Sequence, residues 1–467
     1  VIADTRARSR LEQLVVAGNL AGSPFDFGGN PVSVSLGAEH REERARFAPD
    51  AFLEAGLGRS VAIPRVAGSV AVNALYGEVA VPLILPENRS VISKALLFAR
   101  VRRVDSNRSG GFTAWSAGGS LAPVEDIELR GNYTRSFRSP AILELFLPRT
   151  PTSLAVPDLC SPANIGLGPA PAVRRANCLA FLARYPGATP LIAATASVPA
   201  LTGGNPGLAN ETARSFTFGA SIRPRFAQGL SLEVDWLDID IRDPIANLSV
   251  ADIASGCFDN PRFDSADPTI GNRFCALIAR DASGQVISDN RAPAVTTGYV
   301  NGERIRLSAV QASLSWRTNL DAIGLAGEVE LGGDLFHLRR RTVSVTGVAP
   351  ARSDGLVGDP RWQGQARLRY ANARWGVAGQ VNFTGKQLLA RVDNFAAPGD
   401  RGEFHHFNAF ATVDASLFMT VTRQAKFSLA ITNVFNRIGQ EYFGIVVPNS
   451  INDALGRRFA ASLNVTL

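Results

Sequence analysis

The chain has 467 residues, 46% of them hydrophobic and only 19% charged, with 43 glycines and a formal net charge of +7. No apolar run approaches the roughly eighteen residues of a membrane-crossing helix. That excludes a helical membrane protein but not a wall of strands, each needing only about 9–11 residues to cross. The arginines are scattered and do not cluster with stacking aromatics, which argues against nucleic acid as a partner.

In chain order, Arg10–Asn19 reads as a first strand and Gly22–Asn30 as a turn rich in Gly, Pro and Asp. Val32, Val34, Leu36 and Ala38 then alternate with Ser33, Ser35 and Gly37 before the charged run His40–Arg46. A loop is expected over Phe47–Ser69. Leu75–Leu83, Ser90–Arg103 and Phe112–Leu121 are the next strands. In Ile127–Thr134, Ile127, Leu129, Gly131 and Tyr133 alternate with Glu128, Arg130, Asn132 and Thr134. A period of two marks a strand with one apolar and one polar face. Pro140 lacks a ladder donor, so pairing should stop near Arg138.

A very long connection rich in Pro, Ala and Gly follows, Ser139–Asn210. Connections of such length without regular structure are uncommon and usually functional. Ser215–Ile222 and Leu230–Ile241 are strands; at Trp236-Leu237 the apolar phase flips, which a one-residue bulge would explain. The acids of Asp235–Asp240 lack the Gly turn of a calcium loop. A second long connection covers Ala246–Thr297. Arg304–Trp316 and Leu325–Leu335 pair next. Trp362–Phe383 is the clearest hairpin, with aromatics at its strand ends and small residues between, as lipid interfaces favour. Phe410–Met419, Phe427–Ile431 and Phe459–Leu467 close the series, for a count of about fifteen strands. Short turns at one end and longer connections at the other are the pattern of an outer-membrane barrel.

Several stretches resemble the TonB-dependent outer-membrane receptors. In Gly131–Leu147 the residues Thr134, Arg135, Phe137, Arg138, Pro140, Glu144, Leu145 and Phe146 stand where that family has a barrel strand running into S-R-x-F-R-x-P-x-x-x-E-L-F. Asn205, Pro206, Leu208 and Glu211 match its N-P-x-L-x-x-E entry to the following strand. Asn433 and Phe435 match its N-L-F-[DN] strand near the C-terminus. GNPVSVSLGAEHREER, GEVAVPL and CFDNPRFDSADPTIGNRFCALIARD are similar to further family segments.

The resemblance implies an all-β, transmembrane antiparallel barrel of about twenty-two strands closing around an N-terminal plug. About fifteen of those strands would be here, forming one domain over residues 1–467, with two edges left unpaired. External loops are expected near 47–69, 139–210, 246–297, 342–359, 386–406 and 437–456. On that resemblance the plug, the box that binds TonB and about seven strands are expected to lie outside this stretch; separately, the opening at Val1 with neither a Met nor an apolar signal core reads as that of a fragment. At the other end Leu467 departs from the aromatic residue on which such barrels usually finish. The implied function is active uptake of a scarce ligand: an iron chelate, cobalamin, an oligosaccharide or a peptide. Implied partners are outer-membrane lipid, TonB with its inner-membrane energising complex, and the small-molecule ligand. A monomeric barrel in the outer membrane of a Gram-negative bacterium is expected. The alternatives are a passive porin-like channel, another outer-membrane barrel protein including a barrel enzyme, and a secreted all-β binding module.

Four cysteines permit three connectivities. Cys160 and Cys178 share one long connection, and Cys257 and Cys275 the other at the same spacing, so local pairing is expected in an oxidising compartment. Zinc is disfavoured by the lack of Cys-x-x-Cys and of a neighbouring His. No nucleophile elbow, phosphate loop or His-Glu-x-x-His occurs, so neither an enzyme nor a cofactor is expected. The histidines are His40, His337, His405 and His406. Adjacent residues of a strand point to opposite faces, so His405-His406 is a poor metal clamp. The sequence names no ligand-contacting residue.

Overall fold

Period-two patterning governs the molecule. In the computed structural model, which describes residues 4–57, 62–88, 91–185, 195–267, 271–281, 286, 294–348, 350–389, 406–439 and 455–466, the main sheet is an antiparallel meander. Its strands are β1 (Ala7–Phe27), β2 (Asn30–Pro49), β3 (Val66–Ile84), β4 (Lys94–Ser106), β5 (Gly110–Val124), β6 (Ile127–Arg138), β7 (Glu211–Ile222) and β8 (Leu230–Arg242). It continues through β9 (Arg304–Asn319), β10 (Glu328–Ser344), β11 (Trp362–Ala371), β12 (Trp375–Thr384), β13 (Phe410–Thr420), β14 (Ala425–Thr432) and β15 (Arg458–Val465). Each pairs with its neighbours in sequence order, and the short strand Ala351–Arg352 adds beside β10. Among the described residues, β1 and β15 pair on one side only.

The wall sorts side chains by face. On β11 and β12, Trp362, Gly364, Ala366, Leu368 and Tyr370 share the convex face with Val377, Gly379, Val381 and Phe383 across the ladder. The intervening residues form a polar chain on the concave face. Gln365 donates to Asp334 (3.0 Å), Gln380 to Gln365 (3.2 Å), and Asn382 to Asp414 (2.9 Å). Other ion pairs line the same face: Glu78 with Arg100, Glu39 with Arg102 and Arg130 with Asp235. An apolar hollow between β8, β9, β10, β11 and β12, lined by Val234, Leu314, Leu335 and Phe383, opens on the convex side. Apolar outside and polar inside is how a membrane barrel presents itself.

Several expected boundaries move. The first strand does not turn at Gly22 but runs to Phe27, and the turn is Gly28-Gly29, with φ of 58° and 82°. Two consecutive positive φ values make the tight hairpin that glycine permits. The strand expected from Leu325 begins at Glu328. The loop expected over 47–69 shrinks to 50–65, because β2 and β3 extend into it. The charged run of 40–46 is therefore not the end of its strand, which continues to Pro49. At 21 residues, β1 spans roughly 70 Å, far more than a bilayer core requires.

The bulge expected at Trp236-Leu237 is absent. β8 pairs with β7 from Leu232 to Arg242, and with β9 over its whole length, without a register shift. The phase of apolarity flips because the surroundings change along a regular strand. Leu232, Val234 and Trp236 face outward on the apolar part, and Asp238 and Asp240 continue that face beyond it. Leu237, Ile239 and Ile241 look to the concave side. β3 behaves alike: Tyr76 and Glu78 face the polar interior, whereas Val70, Val72 and Ala74 higher on the same face are buried under loop residues.

The long connections are not irregular. They build a second sheet, ordered Ile245–Leu248, Val295–Asn301, Thr195–Gly203 and Thr150–Pro157. Its central pair is parallel and comes from different connections, so the two fold as one unit. The helix Val250–Phe258 packs on its strand Thr150–Pro157, the helix Pro171–Arg184 packs against that helix, and all share one core.

Candidate functional site

The clearest candidate site is the end of the wall covered by this two-connection unit. Its foundation is local. Beyond Arg138, buried Pro140 ends the ladder and Ile142–Phe146 forms one helical turn. The Glu144 carboxylate accepts from the Ala141 N–H (2.7 Å), satisfying a donor that the helix leaves open. Leu145, 1% exposed, and Leu208 enter a cluster with Val70, Val72, Ala74 and Val104 of the wall.

Two motifs far apart in sequence meet here. The Arg138 guanidinium donates to Glu144 (2.9 Å) and to Glu211 (2.7 Å). Glu211 also accepts from the Ile245 N–H (2.8 Å). The Asn205 N–H donates to the Glu144 carbonyl (2.8 Å), its side chain donates to the Tyr299 carbonyl (3.0 Å), and its carboxamide oxygen accepts from the Gly207 N–H. Pro206 lies exposed in the turn between. These contacts form a clamp that closes the foot of both long connections. Phe137 packs against Phe112 beside the clamp, whereas Arg135 lies exposed on the outer face. Asn433 is fully buried at φ 54° and caps a separate turn, donating from its N–H to Asp414 (2.8 Å) and from its side chain to the Arg437 carbonyl (2.7 Å). Phe435 is exposed.

Above the clamp, the loop unit has its own core of Val156, Phe181, Val198, Ile253, Phe258 and Val295, among others. Disulfides Cys160–Cys178 and Cys257–Cys275 lie within that core, one in each connection. Arg174 and Asp259 form a buried bidentate pair, at 2.5 and 2.7 Å, between the two connections. Arg280 lies 4.6 Å from the Phe181 ring centroid; burial holds its guanidinium below its ordinary value.

A neighbouring connection is ordered around Asp354, which is 1% exposed. It accepts from Arg352 (2.7 and 3.0 Å), Arg361 (3.0 Å) and the Arg341 N–H (3.2 Å). Burial pulls its pKa upward, but these donors outweigh it and leave the carboxyl below its usual range. Neither this cluster nor Arg174–Asp259 is legible in the sequence; the only cue is the short Arg352-x-Asp354 spacing.

No group of three or more His, Cys, Asp or Glu able to hold a metal occurs among the described residues. His40 pairs with Asn73 on the wall, His337 stacks on Trp362, and His406 is in a two-residue strand with Phe407. His405 lies outside the described residues, as does most of the expected loops at 386–406 and 437–456.

Similar architectures are known. The siderophore receptor PirA of Acinetobacter baumannii superposes with a TM-score of 0.61 at 14% identity, over 98% of this chain and 55% of that one. The ferric enterobactin receptor PfeA of Pseudomonas aeruginosa gives 0.61 at 14% identity, over 98% and 54%. The copper transporter OprC gives 0.53 at 12%, over 99% and 58%. This chain thus spans about half the length of the solved structures it matches. No curated protein sequence matches it. The family model of the TonB-dependent receptor-like β-barrel matches residues 17–436, and the chain belongs to that family.

Proposed function

We propose that this chain is barrel wall and ligand-capturing loops of a receptor that imports a scarce small molecule across a Gram-negative outer membrane. Energy would come from TonB and its inner-membrane complex, acting through a plug. The observation that supports this reading best is the clamped, disulfide-tied loop unit at the end of a wall with a polar interior. A rigid unit of that kind presents a preformed surface, which lowers the ordering cost of capture. An iron chelate is the first ligand class to test, since PirA and PfeA are a siderophore and a ferric enterobactin receptor. On this reading the connections 50–65, 139–210, 243–303, 345–361, 385–409 and 433–457 face the exterior, and the barrel works as a monomer whose task is transport, not chemistry.

The experiment is uptake of labelled ferric chelates, cobalamin, oligosaccharides and peptides by cells with the receptor, with and without TonB. Accumulation that needs both supports the proposal. Accumulation that needs the receptor but not TonB would establish the passive channel instead.

A further inference from the structure

All four cysteines are buried: Cys160 is 6% exposed, Cys178 0%, Cys257 2% and Cys275 8%. The better buried member of each pair lies on a helix, Cys178 on Pro171–Arg184 and Cys257 on Val250–Phe258, and these helices pack on each other. Their rings Phe181 and Phe258 meet edge to face at 5.7 Å. Cys275 is sealed by backbone. A methyl group built on Gly271 would stand 2.6 Å from its sulfur and 2.7 Å from the Phe263 ring.

Disulfides are made by exchange, and exchange needs room. A cysteine thiolate attacks the disulfide of an oxidant; one oxidant sulfur leaves as a thiol and the other stays in a mixed disulfide. The second cysteine then attacks the chain's own sulfur in that mixed disulfide, which closes the bond and releases the oxidant's second thiol. The chain gives up two electrons and two protons, and the oxidant takes up both. In the closed unit a sulfur cannot carry such a partner, because the space is held by Phe181, Phe258, Phe263 and the backbone of Gly271. Closing the unit takes both connections, since Val295–Asn301 pairs with Thr195–Gly203 and Arg174 with Asp259. Each disulfide takes only one connection, its cysteines lying 18 positions apart. Pairing is therefore open to a chain whose wall has not assembled, and assembly removes the access.

We propose that both disulfides form before the wall closes, the unassembled chain being the substrate of a periplasmic dithiol oxidase whose own protein disulfide is the electron acceptor. The periplasm, which an outer-membrane chain crosses, is an oxidising compartment. The proposal rests on outer-membrane location and not on TonB coupling. The full receptor is pulse-labelled in cells, trapped at successive times with a bulky maleimide, and run on gels with and without heating to separate closed barrels from unassembled chain. Thiols should be confined to the unassembled chain, and closed barrels should carry none from the earliest time. In cells lacking the oxidase, barrels that close should keep their thiols, and added oxidised glutathione should oxidise them at least about a hundredfold more slowly than the denatured chain. Asp259→Ala, which loosens the unit, should speed that oxidation by roughly tenfold or more. Failure of any barrel to close in those cells would equally place oxidation first. Parent barrels that appear with free thiols and lose them afterwards would overturn the proposal. So would closed, reduced barrels that glutathione oxidises as fast as the denatured chain, or an Asp259→Ala variant oxidised no faster than the parent.

Discussion

Replacing Asp259 by Ala should loosen both long connections while leaving the wall intact. Asp259 is fully buried and Arg174 is 5% exposed. The pair is bidentate; Ser255 also donates to Asp259 (2.6 Å), and Arg174 donates to the Asn164 carbonyl (2.9 Å). Removing the carboxylate strands a guanidinium in an apolar core. Breaking a buried pair from one side costs about 3–5 kcal/mol. At about 1.36 kcal/mol per decade, 3 kcal/mol raises the opening equilibrium roughly 150-fold. Hydrogen exchange reads this directly. Amides of Pro171–Arg184, on the connection that was not mutated, should exchange about two decades faster, and those of β9–β12 should not change. An Asp259→Leu/Arg174→Met double variant should recover much of the protection, because an apolar pair of similar volume is tolerated there. The co-folded unit is refuted if protection in Pro171–Arg184 stays within a few-fold of the parent, or if the wall loosens equally.

Ala366→Arg, on the convex face, should lower unfolding stability in phospholipid by about 2–4 kcal/mol in denaturant titrations, whereas Gln365→Arg on the concave face should stay within about 1 kcal/mol. Cys160→Ser/Cys178→Ser should remove about 3 kcal/mol of loop-closure stabilisation, visible as faster proteolysis within 150–184; an unchanged digestion pattern would count against a tied loop. Glu211→Gln weakens a pair whose Arg138 side is 43% exposed, so about 1 kcal/mol is expected, read as faster exchange at Ile142–Phe146. Asp354 has a lowered pKa, so its contribution is complete above the usual carboxylate value near 4 and is lost as pH falls through the lower folded value. Segment 351–361 should therefore become labile only in acid, and Asp354→Asn should abolish that pH dependence.

How much the sequence could show follows from the range of each interaction. β11 and β12 were legible because alternation is local and a three-residue turn fixes their register. Alternation along Leu230–Ile241 is equally local, but it reports which face is apolar and not what covers it. A bulge and a change of surroundings leave the same trace in the sequence, and only the ladder from Leu232 to Arg242 separates them. The loop unit was hidden for a different reason. Thr150–Pro157 holds two prolines and shows no clean period, because its partner Thr195–Gly203 and the parallel strand Val295–Asn301 beyond it supply the order from far along the chain. Arg174 and Asp259 are 85 positions apart and carry no local signature at all. The motif residues fall between these cases. Arg138, Glu144, Asn205 and Glu211 could be recognised one stretch at a time, yet their joint work as a clamp appears only when both ends of the connection are brought together. That work is architectural: the residues by which the family is recognised tie a loop unit to a wall. Ligand choice would then belong to the unit's outer surface, which can change chemistry while Leu145, Leu208 and the Arg138 bridge beneath it stay as they are.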